Sequence, residues 1–231
     1  MAGLSQEDRT GEYDFIMQAD TDQIGCKREA RRQERRAAIV AVAQRHFTEY
    51  GYGATSMSAI AAEMGGSKTT LWSYFSSKEE LFAEALEVWI RDFSPIRQLK
   101  AEDDLRQTLL RYGREFLQTM LSSNIATLFR LVIAEASRFP EIGRIFYEHA
   151  PLRRHKVLAA YLDQHMATGA IQPVDSLRAS AQFHHLCIYR LFMHSMWGLN
   201  PDISEDAINR EVGEAVDLFL NGYATQRGIS G

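Results

Sequence analysis

Only two cysteines occur in the chain, Cys26 and Cys187, far apart and in no metal-ligand spacing. A disulfide framework is therefore excluded, and two inert thiols are expected. Prolines are few, five in all, and they punctuate rather than stiffen. Pro140 and Pro151 suit the first turn of new helices, where the missing N–H costs little. No apolar run is long enough to span a bilayer. The N-terminus lacks a leader's basic-then-apolar layout, and its first apolar cluster, Tyr13 to Met17, is interrupted by Asp14. The expectation is a cytoplasmic protein with no membrane partner. Also lacking are HExxH, G-x-S-x-G and a phosphate-binding glycine loop. Seven histidines are present, with His184-His185 adjacent and His149 near His155. Neighbours on one helix point in different directions, so that adjacent pair cannot share a metal. A histidine-rich surface helix is the ordinary explanation. No catalytic residue, metal or cofactor is expected, and a metal-dependent enzyme using the histidines is a remote alternative.

What is present is an ordinary globular balance, 45% apolar and 24% charged residues, in a length that suits one or two domains. Net charge is −4, but it is unevenly spread. Lys27 to Lys78 holds nine basic and four acidic residues, a net of +5, leaving −9 on the rest. A basic segment on an acidic body fits a protein of which one part approaches phosphate, and equally fits a solvated basic helix.

The periodicity is helical throughout, with neither strand alternation nor internal repeat. Residues 1–27 are polar and acidic without sustained period and read as a flexible arm. Ile39, Ala43, Phe47 and Tyr50 recur at helical spacing until Gly51 and Gly53. A short second helix carries Ile60, Ala61 and Met64 and stops at Gly65-Gly66. A third runs from Lys68 to about Tyr74 with Leu71 and Phe75 one turn apart. Ser77 and Glu80 form an S-x-x-E capping box for a fourth, which continues to Pro95. Later stripes start at Leu105 and Leu128, Asp175 caps a further helix, and the last two long helices span Ser176–Leu199 and Ser204–Thr225. The fold class is all-α: a three-helix helix-turn-helix domain over 28–78, then a larger helical bundle over 79–231, about nine helices in total.

Three short helices, the second and third joined by a glycine turn, are the plan of a helix-turn-helix. With Leu71 and Phe75 inward, Lys68, Thr69, Thr70 and Ser73 lie opposite, flanked by Trp72 and Tyr74. Small hydroxyl residues let a helix sit deep in a major groove, where lysine and threonine reach base edges. Ser67 is the expected N-cap, and the helix start offers free N–H groups to phosphate. Lys78, at a helix start where a cation is unfavourable, suits a phosphate beside it. Thr55, Ser56 and Ser58 are placed to bond backbone across the groove. Each hydroxyl taken singly is as easily a cap, and each aromatic as easily packing.

In order, however, these residues resemble the N-terminal domain of the TetR family of transcription regulators. The matching elements are Ile39, Ala43 and Phe47, then Gly51-Tyr52 and Thr55. They continue through Ile60-Ala61, Gly65, Ser67-Lys68, Leu71, Tyr74-Phe75, Lys78-Glu79 and Leu81, over about a fifth of the chain. Trp72 stands where tyrosine is usual, and Gly66 where a small aliphatic residue is usual. The resemblance implies Lys68, Thr69, Thr70 and Ser73 in the major groove and Ser56, Ser58, Trp72, Tyr74 and Lys78 on phosphates. It implies a homodimer on a palindromic DNA operator, most often a repressor released by a small molecule. An activator or a chromosome-associated factor of the same fold is the alternative. The basic stretch Lys27 to Arg36 is a candidate arm against the DNA backbone.

The run Arg130–Pro151 resembles the C-terminal domain of the AefR-like subgroup. In the family the last two helices make the dimer. Here they carry more apolar surface than one helix face needs, including Phe183, Tyr189, Phe192, Trp197, Val216 and Phe219. An effector pocket between helices is expected to be apolar with a few polar contacts. Candidate walls are Trp89, Phe93, Phe116, Met120, Phe129, Phe146 and Phe183. Candidate polar contacts are Glu135, His149 and Gln182. Glu135 stands out because a carboxylate on an apolar stripe needs a partner, a ligand or an arginine.

Overall fold

A computed structural model describes residues 7–91, 99 and 104–225, with side chains from Lys27 onward. Among these residues the chain is all-helical, eleven helices with one isolated bridge between Ile171 and Ala224. The first, α1 (Glu7–Ala54), replaces the irregular arm expected to residue 27. The segment holds no proline, so its amide ladder runs uninterrupted back from the domain. Its regular course ends at Gly51, whose φ of 81° and ψ of 166° suit glycine alone. Thr55 closes this turn, its Oγ1 donating to the Gly51 carbonyl at 2.8 Å.

Helices α2 (Met57–Glu63) and α3 (Lys68–Trp72) follow, each with a serine N-cap. Ser56 Oγ accepts the Ala59 N–H and Ser67 Oγ the Thr70 N–H, both at 3.1 Å. Between them Gly65 adopts φ 62°. Met57, Ile60, Leu71 and Phe75 are buried with Ile39, Ala43 and Phe47 of α1, in a core that continues into the larger bundle. Helix α4 (Lys78–Arg91) starts with half of the expected capping box. Ser77 Oγ accepts the Glu80 N–H at 3.0 Å, but the Glu80 carboxylate reaches one residue further back, to the Ser76 N–H at 2.7 Å.

The larger bundle comprises α5 (Leu105–Met120), α6 (Ser123–Glu135), α7 (Pro140–His149), α8 (Pro151–Ala167), α9 (Ser176–Ile188), α10 (Leu191–Met196) and α11 (Glu205–Tyr223). Pro140 and Pro151 begin α7 and α8, and Asp175 caps α9 as expected. Helix α5 fits closely against α9 and α11. A Cβ on Gly113 would stand 2.7 Å from Val212, so glycine is required there. The expected continuous helix 176–199 is in fact broken at Tyr189-Arg190. Buried Glu211 of α11 accounts for the break, accepting the Arg190 N–H at 2.9 Å and pairing with its guanidinium at 2.8 Å. That carboxylate serves as the cap that α10 lacks in its own sequence.

Candidate nucleic-acid interface and ligand cleft

Leu71 and Phe75 anchor α3 from behind and leave its other side open. Ser67, Lys68, Thr69, Thr70 and Ser73 are all exposed, as is Trp72 at 42%. Thr70 Oγ1 lies 2.9 Å from Ser67 Oγ, and Ser73 Oγ donates to the Thr70 carbonyl at 2.7 Å. Both hydroxyls are thus engaged in holding so short a helix together, on side chains that remain exposed. Ser56 and Ser58 are exposed beside this face, and Tyr74 is partly buried beneath Arg32, whose guanidinium lies 5.4 Å from the ring centre.

Several cations counted with the basic segment act inside the protein. Arg36 forms a bidentate pair with Glu84, donates to the Tyr74 carbonyl and lies 4.1 Å over Phe75. Its hydrogen bonds to Glu84 raise its already high pKa. Arg35 donates to the Met64 carbonyl at 3.0 Å, closing the end of α2. Glu63 pairs with Arg45 and His46 of α1. Lys78 sits against the α1 terminus. Its Nζ donates to the Tyr52 and Thr55 carbonyls at 2.9 and 3.1 Å and lies 4.0 Å over the Tyr52 ring. Burial there lowers its pKa. Two of its three protons are therefore committed to backbone, which explains the cation at an unfavourable helix end. Thr55 is 2% exposed, with its hydroxyl on Gly51, and does not reach the DNA-reading face.

The same α1 turn meets the larger bundle. Glu135 Oε2 of α6 accepts the Gly53 N–H at 3.2 Å. A Cβ at Gly51 would come within 2.6 Å of Glu135 Oε1, and one at Gly53 within 2.7 Å of the Phe139 ring. Glycines thus permit a backbone-to-side-chain seal between the two parts.

At the other end of α6 lies a cleft with about 580 Å³ of atom-free space, counting the part open to solvent. Phe116 and Met120 of α5, Ile125 and Phe129 of α6 and Phe146 of α7 supply apolar walls, with Ile90 of α4. Ala150, Pro151, Arg154 and His155 come from the α7–α8 corner, and His184, His185 and Ile188 from α9. His184 is buried, its Nδ1–H donating to the Ser180 carbonyl and its Nε2 accepting the Tyr112 hydroxyl, both at 2.7 Å. Burial is the chief cause that pushes its pKa down to about 3, with Arg154 adding to it.

Comparisons with known proteins show the family. Residues 39–85 match the family model described as bacterial regulatory proteins, tetR family. Residues 107–225 match the model described as AefR-like transcriptional repressor, C-terminal domain, which is more than half of the chain. The chain belongs to the TetR family. It is a DNA-binding transcriptional regulator of that family, with an AefR-like C-terminal domain. Among solved TetR structures it resembles the flavonoid-responsive regulator FrrA, at 31% identity and TM-score 0.75, over 84% of this chain and 99% of FrrA. The HTH-type regulator YhgD of Bacillus subtilis strain 168 is 23% identical over 62% of this chain and 74% of its own length. The HTH-type activator FasR of Mycolicibacterium smegmatis is 39% identical, over 34% of this chain and 36% of its own.

Within this TetR regulator the expected pocket residues divide. Phe116, Met120, Phe129 and Phe146 line the cleft. Trp89 instead packs edge-on against Phe82, and Phe183 is core between Tyr112 and Phe219. Glu135 seals the α1 turn, His149 pairs with Glu87 at 2.5 Å, and Gln182 is bonded to the Tyr223 hydroxyl at the surface. Phe93 lies outside the described residues. Sequence reasoning missed Arg154, His155 and the His184-His185 pair. The histidines do not decorate a surface helix: His184 is floor and His185 rim of one cleft. His184, Ile188 and Ser180 share one α9 face at i, i+4 spacing, a pattern that offered the only hint. Among the described residues no group of three or more metal-ligating side chains converges, and no single helix is long and apolar enough to cross a membrane.

Proposed function

We propose that this TetR regulator is a homodimeric repressor that sits on a palindromic operator and leaves it when a small organic effector fills the cleft. Residues 28–78 are the DNA-binding unit and 79–231 the effector and dimer unit. The observation that carries the reading is the exposed, capped α3 face. Lys68 and Thr69 are base readers, Thr70 and Ser73 offer a methyl and lone pairs to the groove, and Ser56, Ser58, Ser67, Trp72 and Tyr74 hold phosphates. Lys78 contributes chiefly by fixing the α1 end, with one proton left for a phosphate. Repression is preferred over activation because the C-terminal match is to a repressor domain, whereas likeness to the activator FasR covers about a third of the chain. FrrA, responsive to flavonoids by name, supports an organic effector.

The dimer reading rests on apolar side chains that the monomer leaves in water on its last helices. Tyr189 is 77% exposed and Leu218 62%, with Leu177, Trp197 and Leu199 also exposed. Phe183, Phe192, Val216 and Phe219 lie in the monomer core and are not part of that surface. An effector wedged beside Phe129 would shift α6, and with it Glu135 against the α1 turn that positions α2 and α3. Selection of bound DNA from a random pool tests the reading. Two inverted half-sites with centres roughly 34 Å apart, or a multiple, are expected. A selected motif without two-fold symmetry contradicts it.

A further inference from the structure

Among the described residues Arg154 is the one permanently charged side chain lining the cleft. No carboxylate among the described residues pairs with it. Its guanidinium lies 4.9 Å over the Phe116 ring, and burial lowers its pKa. Among the described residues, Arg36, which is about as deeply placed as Arg35, is matched by Glu84, and Arg35 by the Met64 carbonyl. An aromatic face compensates a desolvated cation only in part.

The described surroundings do not supply the missing charge. His184 has both ring nitrogens engaged, by Ser180 and Tyr112. His155, 5.0 Å from His184 ring to ring, is likewise held towards neutrality by burial, by His185 and by Arg154. The positive end of α8 also opens here: its N-cap Ala150 and its first residue Pro151 both line the cleft, and no side chain caps the start. The positive end of a helix and a guanidinium thus meet at one corner of a largely apolar space.

We infer that the cleft binds a monoanionic organic acid, with its carboxylate on Arg154 at the α8 start and its apolar, ring-bearing body between Phe116, Phe129 and Phe146. A guanidinium fork matches a carboxylate in two parallel hydrogen bonds, and a dry aromatic surround strengthens them. Neutral analogues of the same shape leave Arg154 unpaired and bind less well, because the cation then stays desolvated without compensation. This inference rests on the reading of the cleft as the effector site and adds the ligand class to it.

The test uses three probes with one bicyclic body: 2-naphthoate, 2-naphthamide and 2-naphthylmethylammonium. Each is titrated calorimetrically into the full-length protein and into Arg154→Met and Arg154→Lys variants, with thermal unfolding confirming that the variants fold. The expected result is naphthoate binding at least ten-fold tighter than either other probe. Arg154→Met should remove that preference and leave naphthamide affinity within about two-fold, and Arg154→Lys should restore part of it. Equal affinity for acid and amide overturns the inference, as does no binding of any probe up to millimolar concentration. So does a preference that survives Arg154→Met. Operator release is measured separately on the selected DNA. Arg154-dependent binding of naphthoate without release leaves the ligand class standing and removes the ligand-released repressor. Release by a neutral compound, indifferent to Arg154, does the reverse.

Discussion

Glu135 of α6 accepts the backbone N–H of Gly53, 82 positions earlier in the chain, at 3.2 Å. This bond ties the turn that launches the helix-turn-helix to the helix whose other end walls the cleft. The glycine is what allows it, because any side chain there strikes Phe139. Gly53→Ala should destabilise the protein by about 1–3 kcal/mol through this overlap. Urea denaturation measures it, and an unchanged midpoint would show that the seal is loose.

Lys68→Ala and Thr69→Ala should leave stability within about 0.5 kcal/mol, since both side chains face water. Specific operator binding should weaken by about 1–3 kcal/mol for each base edge no longer read. Removing the lysine should also lower the salt dependence of binding by about one counterion. Comparison of cognate with scrambled DNA, at two salt concentrations, separates base reading from phosphate binding.

Arg36 and Lys78 should behave differently. Arg36→Met strands Glu84 and the Tyr74 carbonyl, and Lys78→Met frees two carbonyls at the α1 turn. Each should cost about 1–3 kcal/mol of stability. Their DNA-binding losses should therefore track the unfolding midpoint. A variant that keeps full stability yet loses DNA on every sequence would identify a direct phosphate contact instead.

His184 makes stability fall towards acid. The unfolded chain takes up a proton near pH 6.5, whereas the folded imidazole resists protonation until about pH 3. Stability is thus complete above pH 6.5 and declines below it, by about 2 kcal/mol at pH 5 from this residue alone. His155, also shifted down, acts in the same direction. The difference in unfolding free energy between wild type and His184→Gln should shrink steadily from pH 7 to pH 5. A constant difference would mean that His184 takes up its proton as readily in the folded chain as in the unfolded one.

Gly66→Ala should stabilise the protein by about 0.5–1 kcal/mol, because φ there is not positive and fewer unfolded conformations are lost on folding. A new Cβ would meet only the Arg35 guanidinium, at an ordinary 3.5 Å. A lower melting temperature for this variant would mean that Arg35 cannot adjust.

The local order of residues settled the helix starts at Ser67, Ser77, Pro140, Pro151 and Asp175, the inward Leu71 and Phe75, and the outward Lys68 and Thr69. Caps, turns and helical period act over a few residues, so they are readable without a fold. Tertiary contact decided what each longer-range polar group does. Thr55, Lys78 and Arg36 have the residue types of DNA contacts, yet carbonyls and acids up to 48 positions away claim them. Glu135 and His149 look like pocket groups, and Gly53 and Glu87 take them. Arg154 has no such taker among the described residues, and only the packed bundle reveals it. A buried charge is defined by the partner it has or lacks, and that partner comes from another part of the chain.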